Sequence, residues 1–296
     1  MPKLKVTEGR MKGTKNMKFT KMHGAGNDYV YIYGFTEKMA QEDKPEWVRK
    51  VSDRHFGIGS DGAIFINPSD VADFEMEMYN ADGTRSEMCG NGIRCVGKFV
   101  YDKGLTDKEQ ISVVSAGKIK YLDLTIENGK AVQIKVNMGE PILKSDLVPV
   151  VSDSEEVIDE LIYISEVDKS YNMTCVSMGN PHAVVFMEDV ENLQIEKIGP
   201  YFENHCRFPN RTNTEFVKVI DRNNVQMRVW ERGTGETLAC GTGCCATAVA
   251  CILNGLTDEE VTVHVLGGKI KIFWDRESNL VYMTGPAETV FEGEIE

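Results

Sequence analysis

The chain is written twice, and that repeat limits its architecture more than any other feature. Residues 19–33, FTKMHGAGNDYVYIY, read as strand, Gly/Asn/Asp turn and strand, and residues 174–187, TCVSMGNPHAVVFM, have the same rhythm. A polar, helical-looking stretch follows each, at 46–53 and 190–199. RHFGIGSDGAIFI (54–66) and RFPNRTNTEFVKVI (207–220) then run from a polar loop into an apolar strand. DFEMEMYNADGTRSEMCGNGIRCVGKFVYDKGL matches NVQMRVWERGTGETLACGTGCCATAVACILNGL element for element. In both, a period-two strand leads to a Gly-rich turn, then Cys-Gly-Asn/Thr-Gly, then a helix ending in Gly-Leu. Strands joined by Gly-bearing turns such as Glu127-Asn128-Gly129 close each unit.

Phe99, Val100, Ala246, Val249, Ala250 and Ile252 make the two long helices apolar nearly all round, so strands must wrap them. The expected fold is α+β. Two lobes related by a pseudo-twofold each carry a curved, antiparallel-rich β-sheet or barrel around a central helix, with the active site in the cleft between them. The domains expected are 17–134 with 286–296, carrying Cys89, and 135–285, carrying Cys240. Residues 1–16 read as a disordered N-terminal extension, polar and without the apolar core of a secretory signal.

A formal charge of -13 argues against nucleic acid or an anionic membrane as partner, and no apolar run is long enough to span a bilayer. Eight cysteines without an export signal point to a reducing, cytoplasmic setting and free thiols. Cys244, Cys245 and Cys251 read as small buried side chains, and so do Cys95, Cys175 and Cys206.

Cys89 and Cys240 stand at the same place in the two repeats, each opening a helix. Unpaired N–H groups and the positive dipole end there favour a thiolate and a lowered pKa. The following glycines (Gly90, Gly92, Gly241 and Gly243) let the backbone approach a carboxylate or carbanion. Two such thiols facing each other across a pseudo-twofold suit removal of a proton from one face of a carbon and return of a proton to the other. Metal ligation is an alternative, although the Cys-x5-Cys spacing of Cys89 and Cys95 is unlike thiolate zinc sites. A single-thiol hydrolase leaves the second cysteine unexplained, and neither Gly-rich turn carries the Gly-Lys-Ser/Thr of a phosphate loop.

MCGNGIRC (88–95), GNPH (179–182), ERGTGETLACGTG (231–243), HGAGND (23–28) and YMTGPA (282–287) together resemble the signature segments of the diaminopimelate epimerase family. The resemblance runs from about residue 17 to the end. It implies interconversion of LL- and meso-2,6-diaminoheptanedioate, with no cofactor and no metal, Cys89 and Cys240 being the acid/base pair. His182 and Glu231 resemble the polar neighbours that tune the thiols. Substrate contacts carry over to Asn27, Asn80, Gly90, Asn91, Asn180, Asn213, Glu231, Arg232, Gly241 and Thr242. Arg232 can grip a carboxylate bidentately, and the asparagines offer donors and acceptors to a zwitterion. The resemblance also implies a homodimer and a last strand that returns to the first lobe. One departure stands out: many members carry Gln where this chain has Gly62. Rival readings are a proline or hydroxyproline racemase, a phenazine-biosynthesis-like isomerase, and a non-catalytic diacid-binding module.

Overall fold

The computed structural model describes residues 16–86 and 89–296. Apart from Asn16, the extension read at 1–16 lies outside the described residues, as does Met88 of the first cysteine motif. The first repeat comprises β1 (Met17–Gly24), β2 (Asn27–Tyr33), α1 (Lys44–Ser52), β3 (Gly62–Asn67), β4 (Phe74–Asn80), β5 (Arg85–Ser86), α2 (Gly90–Asp102), β6 (Gln110–Ser115), β7 (Lys118–Glu127) and β8 (Lys130–Gly139). Next comes β9 (Glu160–Ile164). The second repeat then follows as β10 (Lys169–Ser177), β11 (Pro181–Phe186), α3 (Ile195–Glu203), β12 (Asn213–Asp221), β13 (Asn224–Glu231), β14 (Gly235–Thr237), α4 (Gly241–Leu253), β15 (Glu260–Val265), β16 (Gly268–Asp275) and β17 (Leu280–Gly285). The chain closes with β18 (Glu288–Ile295).

Pairing follows the repeat. One half runs β18-β1-β2-β3-β4-β6-β7-β8, and the other runs β9-β10-β11-β12-β13-β15-β16-β17. Each half has the same two parallel pairings, β2 with β3 and β4 with β6 in one, β11 with β12 and β13 with β15 in the other. β8 and β17 pair antiparallel, with Val136 opposite Met283, so the halves join at their equivalent last strands. β18 crosses back onto β1 and takes the place there that β9 takes on β10.

Strand parity explains the layers. In β2, Tyr29 and Tyr31 face the central core, whereas Val30 and Ile32 face a separate cluster under α1. In β11, Val184 faces inward, and Ala183 and Val185 face outward under α3. With α2 or α4 inside, the strands beneath α1 or α3 are thus buried on both faces, whereas the outer residues of β7 and β16 are exposed or half-buried. On α4, all residues from Gly243 to Cys251 are buried, as its all-round apolar sequence requires. Fully burying a side chain such as Val249 contributes about 1.5–3 kcal/mol.

Two details differ from the sequence reading. The second short helix starts at Ile195 instead of 190, because Asp189 Oδ1 accepts the Glu191 and Asn192 N–H groups and turns the chain first. Cys206 is exposed, not buried, in the turn after α3, while Cys95, Cys175, Cys244, Cys245 and Cys251 are buried. Burial pushes the Cys95 thiol up to about 11, and those of Cys175, Cys245 and Cys251 up to about 12. Among the described residues no helix is long and apolar enough to cross a membrane.

Candidate active site at two converging helix N-termini

Cys89 and Cys240 are the N-cap residues of α2 and α4, both in extended conformation. The Gly92 N–H donates to Cys89 Sγ (3.2 Å), and the Gly243 N–H donates to Cys240 Sγ (3.4 Å). A side-chain cap normally uses Ser, Thr or Asp; here sulfur does the same work in both repeats. The helices meet at these ends. A Cβ built on Gly241 would lie 3.4 Å from Gly90 Cα and 3.3 Å from Met283 Sδ. A Cβ on Gly90 would instead meet Met283 Cε at 2.7 Å, so Met283 packs between the two helix starts. Two positive helix ends therefore converge beside two thiols.

The surroundings of the sulfurs differ. Cys89 donates to Asn27 Oδ1 (3.1 Å), whose Nδ2 donates to Asp61 Oδ2 (2.7 Å). Arg54 in turn bridges Asp61 and Asp28. Burial raises the Cys89 pKa against the opposing hydrogen bonds of the Gly92 N–H, the Tyr29 hydroxyl and the Asn91 N–H. Cys240 lies 3.5 Å from Thr242 Oγ1. Burial, then the charges of Glu231 and Glu215, push its thiol well above the ordinary value. The lowered pKa expected at a helix N-terminus is not what this environment produces: burial outweighs the few donors.

Most of the polar residues singled out from sequence line the same region. His182 is wholly buried, with Nδ1 2.7 Å from Glu215 Oε1 and Nε2 3.0 Å from Asn180 Oδ1. Glu231, at the end of β13, accepts from Thr237 Oγ1, and burial raises its pKa. Asn213 is committed within the protein, its Nδ2 to Pro181 O and its Oδ1 to the Arg232 N–H, both at 2.9 Å. The Asn91 side chain spans the repeats, Nδ2 donating to Ala239 O (3.1 Å). Arg232 donates from Nη1 to Asn210 O (2.9 Å), and among the described residues no carboxylate pairs with it. Its charge is free to meet an anion. Asn80 bonds Thr84 Oγ1 (3.0 Å) at the end of β4, the register position that Glu231 holds at the end of β13.

Gly62, the position that departs from the family pattern, has φ +155°, and a Cβ there would lie 2.0 Å from Tyr79 O. The local backbone has no room for a glutamine.

Three residues of this region escaped the sequence reading. Tyr29 and Glu215 flank the sulfurs. A hydroxyl and a carboxylate sitting in the inward, apolar phase of a strand are the available signal for both. Arg94 is fully buried at the start of the second turn of α2, its Nε bonded to Pro286 O (3.2 Å) and its Nη1 to Gly90 O (3.4 Å). Its Nη2 has no partner among the described residues. Among the described residues no cluster of three or more His, Cys, Asp or Glu side chains is placed to hold a metal ion.

Comparison with known proteins gives a consistent result. The family model described as Diaminopimelate epimerase matches residues 19–144 and 174–290. The diaminopimelate epimerase of Methanococcus maripaludis strain C5 is 59% identical over 280 residues, covering 95% of this chain and all of that one. That of Agathobacter rectalis is 59% identical over 288 residues, covering 95% and 99%. Among solved structures, a phenazine biosynthesis protein of the PhzF family from Bacillus anthracis superposes with TM-score 0.68 at 16% identity, covering 96% of this chain and 100% of that one. A hydroxyproline epimerase from Agrobacterium vitis superposes with TM-score 0.67 at 11% identity, covering 96% and 94%. These distant structures share the two-lobe fold; the sequence relatives share far more. By matches of that length and identity, the chain belongs to the diaminopimelate epimerase family.

Proposed function

We propose that this chain interconverts LL- and meso-2,6-diaminoheptanedioate, with Cys89 and Cys240 as its acid/base pair. The observation that carries this reading is the meeting of two thiol-capped helix N-termini at Gly90 and Gly241. In each direction one sulfur, as thiolate, takes the α-proton while the other thiol supplies a proton on the opposite face. The Cα–H bond breaks on one side and forms on the other, with no net redox change. Negative charge develops on the α-carboxylate in between. The N–H groups of Gly90 and Asn91 on α2, and of Gly241 and Thr242 on α4, stabilise it without reorganising.

Arg232 supplies the fork for a carboxylate of the substrate, and its rigid bidentate geometry suits that group better than a lysine would. Asn27, Asn80, Asn180 and Glu231 complete the polar lining for two amines and two carboxylates. Asn213 acts by fixing the Arg232 N–H and the first residue of β11, Pro181. Asn91 contributes its N–H and holds the second cysteine loop. His182 and Glu231 tune Cys240. The chemistry needs no cofactor and no metal, because the donors and thiols of the chain suffice for it.

The lobes divide as 17–134 with 286–296, and 135–285, the first boundary falling within β8, the strand through which the halves join; the return of β18 onto β1 supports assigning the last segment to the first lobe. We take the enzyme to be a cytoplasmic homodimer that binds neither nucleic acid nor membrane. The test is incubation of reduced, chelator-treated protein with LL-diaminopimelate and chromatographic separation of isomers. Accumulation of the meso isomer supports the reading. Turnover of proline or hydroxyproline instead, or binding of the diacid without turnover, overturns it.

A further inference from the structure

The pseudo-twofold that relates the two thiols is broken directly behind them. In the β2–β3 pairing, Tyr31 stands opposite Ile64; in the β11–β12 pairing, Val184 stands opposite Glu215. Ile64 and Glu215 therefore hold equivalent places, as do Tyr29 and His182, each two residues earlier along its strand. Both places lie against the glycine whose N–H caps a sulfur. A Cβ on Gly92 would lie 2.8 Å from Ile64 Cδ1 and 3.6 Å from Cys89 Sγ. One on Gly243 would lie 2.6 Å from Glu215 Oε1 and 3.3 Å from Cys240 Sγ. One thiol is backed by a hydrocarbon and a phenol, the other by a carboxylate and an imidazole.

Glu215 is wholly buried, and its Oε2 has no partner among the described residues. A carboxylate in such a place costs several kcal/mol unless it is paired, and here its one strong partner is His182 at 2.7 Å. Both ring nitrogens of His182 are engaged, Nδ1 with Glu215 Oε1 and Nε2 with the Asn180 side-chain amide, so the ring is held to present Nδ1 to the carboxylate. The titratable groups near Glu215 are His182 on β11, Glu231 on β13, Cys175 on β10, and Cys240 and Cys244 on α4. Arg94 on α2 also acts on Cys244.

We propose that Glu215 is a positioning residue which, with His182, keeps the proton on Cys240 and so makes the two thiols inequivalent. The proposal rests on the two-thiol reading but concerns the free protein. Its carboxylate charge disfavours a thiolate at Cys240. The hydrogen bond between His182 Nδ1 and Glu215 Oε1 tempers that charge. Cys89, with Ile64 in the corresponding place, lacks such a control.

The test is the pH dependence of alkylation at Cys240 and Cys89 by iodoacetamide, read by peptide mass spectrometry in reduced protein without substrate. Cys206→Ser serves as background, since Cys206 is exposed and outside the site. Glu215→Gln should move the Cys240 profile to lower pH, with labelling at a fixed pH below both midpoints faster by about tenfold, the equivalent of one pKa unit. The Cys89 profile should stay in place. His182→Gln should slow Cys240 labelling, because the carboxylate is then uncompensated. Opposite signs in the two variants are something a packing role does not produce. A Glu215→Gln protein that melts like the parent with an unmoved Cys240 profile overturns the proposal, as do shifts of the same sign in both variants. If Glu215→Gln fails to fold, His182→Gln decides: faster or unchanged labelling overturns it. Failure of the parent protein to epimerise the diacid would count against the function and leave this readout intact.

Discussion

The Asn91 side chain donates from Nδ2 to the Ala239 carbonyl at 3.1 Å, so the first turn of α2 holds the residue immediately before Cys240. The bond couples the position of one cysteine loop to the helix that carries the other. Its removal should cost about 1 kcal/mol of stability, a melting shift of roughly 2–4 °C. The effect on catalysis should be larger, since displacement of reacting groups by about 1 Å costs on the order of 100-fold. Asn91→Ala is expected to lower kcat at least about tenfold with a nearly native melt; an unchanged kcat would show that the bond does not position the site.

Replacing either motif cysteine should remove one of the two proton carriers. Cys89→Ala and Cys240→Ala are each expected to lower the epimerisation rate by about 100- to 10,000-fold, the usual range for lost general acid–base groups. Cys244→Ala, which opens only a small gap in the core beside α4, should keep most of the activity. Steady-state rates together with melting curves check this. Equal loss in all three variants would assign the cysteines a role in folding.

Gly62 carries a different expectation from the family pattern. Gly62→Gln places a Cβ 2.0 Å from Tyr79 O at φ +155°, a clash with backbone that no side-chain rotation relieves. The variant should lose more than about 2 kcal/mol of stability and gain no activity. A stable, faster Gly62→Gln enzyme would mean that this loop adopts another backbone in solution.

Away from the site, Glu77 sits in a buried cluster with Lys44 (2.5 Å), Asn67, Gln41 and Tyr79. Burial by itself would raise its pKa, but the hydrogen bonds of Lys44, Tyr79 and Gln41 win and hold the carboxyl down to about 2. A depressed carboxyl contributes stability that is complete above its ordinary value of 4.5 and is lost as pH falls towards 2. Glu77→Gln should therefore be less stable at neutral pH, and its melting temperature should fall less than the parent's between about pH 5 and pH 2. Parallel curves over that window would contradict the pairing.

Element order could be read from sequence because the two repeats share it, and two aligned copies are far more restrictive than one pattern of alternation. What escaped has physical causes. β9 (Glu160–Ile164) is short and alternates between exposed and buried, and its counterpart β18 stands at the far end of the chain, out of repeat order, so aligning the two copies does not mark it. Glu215 was passed over because NTEFVKVI looks like a plain apolar strand, and only its parity, in phase with the buried Val217, puts the carboxylate inside. The thiol environments went astray for a related reason. A helix N-terminus is visible in a motif, but the burial that opposes it depends on strands far away in the chain. Cys206, outside any periodic segment, offered no pattern from which exposure could be inferred.

The central claim, two opposed thiols moving one α-proton, is tested most directly by proton NMR of LL-diaminopimelate with reduced protein in deuterated water, chelator present. The account predicts loss of the α-proton signal together with appearance of the meso isomer, and neither change with Cys89→Ala or Cys240→Ala. Retention of the α-proton by the parent protein, or exchange that survives in both variants, would contradict it.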